Sequence, residues 1–298
     1  MNTTLFKAGF IGIIGPPNVG KSTLLNKLIG EKISIVTPKP QTTRNRILGI
    51  KNLPDAQLIF IDTPGIHHTK KKFNRQIVQA AQSAFRESDI VLVMVEATQA
   101  TPEDEFLFVV NCLKGFEKPV FLLINKIDLI EKQALLPFID VYQETFPFRE
   151  VIPLSALHGS GVEELEKILL RYLPEGVNYY PDDLFTDQTE PFMAAEIIRE
   201  KIFVLLQQEI PYSIAVAIEE FNEGKPGIIF IRAVIWVEKL SQKGILIGKE
   251  GKMLKEIGKR ARKAIERLLQ TKVFLELWVT VKKNWTQNEA RIKQSLDS

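Results

Sequence analysis

Between Phe10 and about Tyr172 the chain alternates short, almost uninterrupted apolar runs with amphipathic stretches. GFIGIIG precedes STLLNKLIG, AQLIFID precedes FNRQIVQAAQSAF, and DIVLVMVE precedes EDEFLFVVNCL; PVFLLIN precedes a helical stretch, and VIPLS precedes GVEELEKILLRYL. Apolar runs without alternation mark strands buried on both faces, and a helix after each one points to parallel strands. The pattern predicts an α/β fold with a mostly parallel sheet covered on both sides.

Residues 173–191, LPEGVNYYPDDLFTDQTEP, follow neither period and are rich in Pro, Gly and Asp, which marks a linker. Beyond it the order becomes α-β-β-α-α-β. A helix near Ala194 to Gln208 precedes the alternating strands YSIAVAIEEF and IIFIRAVIWVEK. A glycine-bearing turn, a basic helix from about Lys252 to Leu269, the strand VFLELWVTV and a final polar helix complete it. We therefore expect one domain over 1–175, a linker over 176–191 and a smaller α+β domain over 192–298.

Composition narrows the picture little. With 298 residues, 45% apolar and 25% charged, the chain suits one large folded domain or two ordinary ones, and disorder is not indicated. The net charge of +3 does not by itself argue for a nucleic-acid partner. A single cysteine, Cys112, excludes an internal disulfide, fits a reducing compartment and reads as a small core residue within FLFVVNCL. FIGIIG is too short for a signal-peptide core, and no run reaches the roughly 18 apolar residues of a membrane span. A cytoplasmic protein is expected.

Chemistry enters at GPPNVGKS, residues 15–22, which fits GxxxxGK[ST] between a strand and a helix. Gly15 and Gly20 let the backbone wrap a phosphate chain closely, and the helix N-terminus adds positive potential. Lys21 would reach the β- and γ-phosphates and Ser22 would bind Mg²⁺. The loop thus predicts a nucleoside triphosphate ligand.

LLINKIDLI then selects the base. It places Asn125, Lys126 and Asp128 after a buried strand, at the edge where open sheets bind ligands. A carboxylate at Asp128 accepts from both N1–H and the 2-amino group of guanine, whereas adenine offers an acceptor at N1 and no amino group at C2. In IFIDTPGI, Asp62 would hold the magnesium shell through water and Gly65 would offer its N–H to the γ-phosphate. In PLSAL, Ser155 and the Ala156 N–H would close over the guanine.

GPPNVGKS, PKPQTTRNR, DTPG, NKID and SAL, in that order, make the chain resemble the translation-factor-like GTPases. More narrowly it resembles the Era family, in which a G domain is joined to an RNA-binding KH domain. The resemblance implies a nucleotide site of Gly15, Pro16, Pro17, Asn18, Val19, Gly20, Lys21, Ser22, Thr23, Asp62, Gly65, Asn125, Lys126, Asp128, Ser155, Ala156 and Leu157. It implies a first switch in TPKPQTTRNRI, with Thr43 sensing magnesium and Thr42 as the neighbouring alternative. Lys21, Thr43 and Gly65 would carry catalysis, and Asn18 would ligate K⁺. Ile66 stands where Ras-like enzymes carry glutamine, so slow intrinsic hydrolysis without a glutamine is expected.

In the second half, Gly248-Lys249-Glu250-Gly251 forms a GxxG loop ahead of the basic helix, the arrangement with which KH domains clamp about four nucleotides. Leu254, Ile257, Ala261, Ala264, Ile265 and Leu268 form the expected buried stripe, with Lys252, Lys255, Lys259, Arg262 and Lys263 outward. The element order resembles a type II KH domain. The resemblance implies single-stranded RNA at the 3′ end of small-subunit rRNA, a role in assembly of that subunit, a monomer, and weak peripheral contact with the inner face of the cell membrane. Trp278 and Trp285 are expected to pack, HHTKKK (67–72) to be a solvated switch loop, and His67 and His68 to hold no metal. The rival readings are an RNA-binding scaffold that holds GTP without switching, and a metabolic nucleotide kinase.

Overall fold

The computed structural model describes residues 5–37, 39, 42, 44–63, 86–206, 214–224 and 226–285. Thr43, Gly65, Ile66, the segment 67–72, the expected helix FNRQIVQAAQSAF and the expected polar helix after 285 lie outside the described residues. The chain divides into two compact units, Met1–Asp187 and Gln188–Ser298.

In the first unit β1 (Lys7–Ile14), β3 (Ala56–Asp62), β4 (Ile90–Glu96), β5 (Val120–Asn125) and β6 (Glu150–Pro153) are parallel, in the sheet order β2-β3-β1-β4-β5-β6. These are the five runs read from the sequence. Helices α1 (Lys21–Ile29), α2 (Asp104–Cys112), α3 (Leu135–Gln143) and α4 (Val162–Tyr172) follow β1, β4, β5 and β6. β3 is buried at every position and β4 at all but Glu96, as unalternating apolar runs require. Cys112 is half-buried against the β4–β5 core.

One strand was not expected. β2 (Ile47–Leu53) runs antiparallel to β3 through the turn at Pro54-Asp55 and forms the sheet's edge. Its apolar positions thin out toward Leu53, so ILGIKNL lacks the density of the other runs.

The second unit packs α5 (Glu190–Leu205), α6 (Leu240–Ile247) and α7 (Lys252–Leu269) against a three-stranded sheet of β7 (Ala215–Glu223), β8 (Ile228–Val237) and β9 (Lys272–Val281). The order α-β-β-α-α-β is the expected one. β7 is antiparallel and β9 parallel to β8, with β9 at one edge. Helix α5 starts four residues before the expected Ala194, because Thr189 caps it by accepting from the Phe192 N–H at 3.4 Å, and proline is favoured in a first turn.

Much of the segment expected as a linker is hydrogen-bonded to the first unit. Gln57, fully buried in β3, accepts from the N–H groups of Tyr179 and Tyr180 at 2.9 and 3.0 Å and donates to the Tyr180 carbonyl at 2.8 Å. The Asn52 amide donates to the Asp182 carbonyl at 2.8 Å, and the Ile50 N–H donates to Phe185 at 2.8 Å. Residues 176–185 thus form a strap over the outer edge of the sheet.

Candidate functional site

The parallel strands bring the loops after β1, β5 and β6 to one sheet edge, where, with residues 35–37 and Thr42, they enclose a cavity of about 400 Å³, within the range of small-ligand sites. Pro17, Asn18, Gly20, Lys21, Ser22, Thr23, Thr42, Asn125, Lys126, Asp128, Ser155 and Leu157 line it. Gly15, Val19, Asp62 and Ala156 support it from behind.

The loop 15–20 has no room for larger residues at its two glycines. A Cβ on Gly15 would lie 2.4 Å from the Met94 carbonyl, and one on Gly20 2.3 Å from the Asn125 amide, with Gly20 at φ +103°. Asn18 also takes a left-handed φ of 64°. Helix α1 begins at Lys21, so its N-terminus points into the cavity. Lys21, 6% exposed, donates from Nζ to the carbonyls of Gly15 and Pro16 at 3.1 and 2.8 Å. Burial pulls its ammonium down to about 8, against the attraction of Asp62.

Asp62 is fully buried at the end of β3. Its Oδ2 accepts from Ser22 Oγ at 2.7 Å and Ser34 Oγ at 3.0 Å, while Oδ1 has no hydrogen-bond partner among the described residues. Burial pushes the carboxyl up; hydrogen bonds from Ser22 and Ser34 and the Lys21 charge oppose that. An uncommitted buried carboxylate oxygen beside a serine hydroxyl suits a hard cation held by oxygen ligands and water, so the residues fit Mg²⁺. Thr42 is otherwise engaged. Its hydroxyl donates to the Lys39 carbonyl at 2.6 Å, which leaves Thr37 as the donor in their 2.6 Å contact.

Opposite the phosphate end, Asn125 holds two loops together. Nδ2 donates to the Val19 carbonyl at 2.7 Å and Oδ1 accepts from the Ala156 N–H at 2.8 Å. The Ala156 N–H, expected to face guanine, is thus committed to Asn125. Lys126 has a left-handed φ of 63° and pairs with Glu96. Burial would raise Glu96, but hydrogen bonds from Lys126 and Thr98 outweigh it and hold the carboxyl below its ordinary value. Asp128 stays open to the cavity, its side chain 24% exposed. His158, missed in the sequence, brings Nε2 to 3.7 Å from Asp128 Oδ2. Its only signal was its place directly after SAL.

In the second unit the expected loop lies between α6 and α7. Gly248, Glu250 and Gly251 have φ of 71°, 54° and 73°. A Cβ on Gly248 would meet that of Met253 at 2.7 Å, while Gly251 has open space. Lys249 is exposed, and Glu250 pairs with Lys252 at 3.0 Å. Beside the loop runs a groove of about 550 Å³, lined by Gly251, Leu254, Lys255, Gly258, Lys259 and Arg262 and by Leu275 and Leu277 of β9. Ile257, Ala261 and Ile265 are buried, with Leu254 and Ala264 packed against them; Leu268, expected in the stripe, is 37% exposed. Trp285 is fully buried against Trp236, whereas Trp278 is 60% exposed, contrary to expectation.

A phosphate loop, a magnesium-compatible Ser–Asp pair and a carboxylate at the base end, on a mostly parallel sheet, define a P-loop GTPase, here followed by a KH-type unit. Residues 10–126 match the family model of the 50S ribosome-binding GTPases, and residues 209–286 match that of KH domains. GTPase Era of Syntrophus aciditrophicus is 55% identical over 292 residues, covering 97% of this chain and 95% of that one. GTPase Era of Geotalea uraniireducens is 52% identical over 99% of both chains. The chain belongs to the GTPase Era family. A crystal structure of Era in complex with MgGDPNP and nucleotides 1506–1542 of 16S ribosomal RNA matches with a TM-score of 0.94 and 45% identity over 97% of this chain and 98% of that one. An Aquifex aeolicus Era variant bound to GDP and AlF4⁻ matches at 0.93 and 44%, over 97% and 99%.

Proposed function

We propose that the chain is a Mg²⁺-dependent GTP hydrolase whose nucleotide state controls its hold on single-stranded RNA at the 3′ end of small-subunit rRNA during assembly of that subunit. The observation that carries this reading is that Asp128, Lys21 and the Ser22–Asp62 pair line or back one cavity. In it Asp128 selects guanine, the N–H groups of the 15–20 loop and Lys21 neutralise the phosphates, and Ser22 with Asp62 holds the metal. Magnesium supplies charge at the phosphate oxygens. Lys21, anchored on two carbonyls, needs little reorganisation to face a γ-phosphate. Thr43 and Gly65 are assigned to the switch by family resemblance, and loss of their γ-phosphate contacts on hydrolysis would release it. Exposed Asn18, on the cavity rim, is assigned to K⁺; equal hydrolysis rates in Na⁺ and K⁺ would contradict that.

The groove beside Gly251 takes the RNA, with Lys255, Lys259 and Arg262 toward phosphates and Leu254, Leu275 and Leu277 toward bases. The test is the affinity for a 16S rRNA 3′-end fragment at fixed salt, with GDP and with a non-hydrolysable GTP analogue. Tighter binding with the analogue is expected; equal affinities would leave a non-switching scaffold.

A further inference from the structure

The outer face of the second unit's sheet carries an aromatic row that neither core nor groove uses. On β9, Val273 and Val279 face the helices and Leu275 and Leu277 line the groove, so alternation turns Phe274, Glu276 and Trp278 the other way. Phe274 is 55% exposed and Trp278 60%. Phe230, paired with Phe274 across the ladder, stacks on it with 5.7 Å between centroids and 12° between planes. The Arg232 guanidinium lies 5.3 Å from the centre of the Phe230 ring. Single exposed aromatics are common. Three rings on adjacent strands, with Phe274 and Trp278 exposed, form a platform, beyond which Trp285 covers Trp236 on the same face.

We propose that this row is a second RNA contact, on which bases of single-stranded RNA leaving the groove stack. The inference rests on the RNA-binding reading above. Continuity argues for this occupant: β9 is the sheet's edge strand, its Leu275 and Leu277 wall the groove, and Phe274 and Trp278 flank those leucines on the opposite face. A KH groove clamps about four nucleotides, so a longer strand must leave it, and rounding one strand brings it to the platform. Phe274 and Trp278 lie about 13 Å apart by strand rise, enough for separate bases. The chemistry is that of stacking, because Arg232 is neutralised by Glu220 at 2.8 Å and Glu276 at 3.1 Å. Recognition here depends on flat rings, which every base can use.

The full chain with Mg²⁺ and a non-hydrolysable GTP analogue would be titrated against RNA spanning nucleotides 1506–1542 of 16S rRNA. Phe274→Ala with Trp278→Ala should weaken binding at least about fivefold, the lower end for one stacked base. The salt slope should stay unchanged, since no phosphate contact is removed. Trp278→Phe should keep most of the affinity, and RNA should quench the wild-type tryptophan emission more than that of Trp278→Phe. Wild-type chain that fails to bind this RNA would refute the RNA-binding reading itself. Wild-type chain that binds, with the double variant within twofold of it, would overturn only the platform and leave the row to a protein partner.

Discussion

Asn125 donates to Val19 and accepts from Ala156, so both ends of its amide are committed within the chain. Asn125→Ala would strand a buried carbonyl and a buried N–H, each costing about 1–3 kcal/mol. The expected result is a clear fall in melting temperature without nucleotide as well as weaker GDP binding. Asp128 makes no such bridge. Asp128→Asn should leave that melt nearly unchanged while raising the Kd for GDP about a hundredfold or more in calorimetry, because charge-assisted bonds contribute roughly 1.5–3 kcal/mol each. The motif NKID was legible in the sequence, but the bridging role of its asparagine was not, since the partners lie 106 and 31 positions away.

Lys21 gives the site a pH dependence. In the folded chain its ammonium loses a proton near 8, whereas an unfolded chain holds it to 10.5. Between these values the folded state binds fewer protons, so the stability contribution of Lys21 rises with pH across that window. Nucleotide binding runs the opposite way, because phosphate charge holds the proton on. Affinity for GTP should therefore fall about fivefold from pH 8 to pH 9. Titrations at both pH values check this, and Lys21→Met should abolish the dependence.

At the scale of elements, the two glycines of the GxxG loop divide structure from recognition. A side chain at Gly248 collides with Met253, whereas one at Gly251 meets open space and only the cost of φ 73°. Gly251→Asp should keep a cooperative melt and lose most RNA affinity, as a carboxylate enters the groove. Gly248→Asp should lower the melting temperature as well. Thermal unfolding followed by RNA titration separates the two, and a Gly251→Asp variant with wild-type RNA affinity would contradict the groove assignment. Helix α7 was legible because its apolar positions recur at helical spacing, yet Leu268 lies near the end of the stripe and stays 37% exposed. Periodicity gives the direction of a side chain, not what lies there to cover it. For the same reason β9 was recognised as a strand while the exposure of Trp278 was not. Alternation gives two faces but not which of them is covered, and only the packing of the helices on the Val273–Val279 face leaves Trp278 on the other.

At the scale of the whole molecule, the division between the units falls after Asp187, within the span 176–191 expected to link them. The sequence from 173 to 191 carries Pro, Gly and Asp in place of either period, which is the composition of a linker and also of a strap. What distinguishes them is Gln57. In AQLIFID it reads as one polar residue in an apolar run, but its buried amide makes three hydrogen bonds to Tyr179 and Tyr180. Asn52 and Ile50 add bonds to Asp182 and Phe185, and Tyr179 packs on Phe10 at 5.4 Å. A chain cut at 175 loses all of these and exposes the outer strand edge. With a net worth near 0.5–1.5 kcal/mol per hydrogen bond, the loss is about 3 kcal/mol or more. For a domain of this size that lowers the melting temperature by roughly 6–12 °C. Fragments 1–187 and 1–175 should therefore both bind GDP, the shorter melting at least about 6 °C below the longer. Gln57→Ala in fragment 1–187 should remove much of that difference. Equal melting of the two fragments would mean that the strap contributes nothing to the first unit and serves as a linker only.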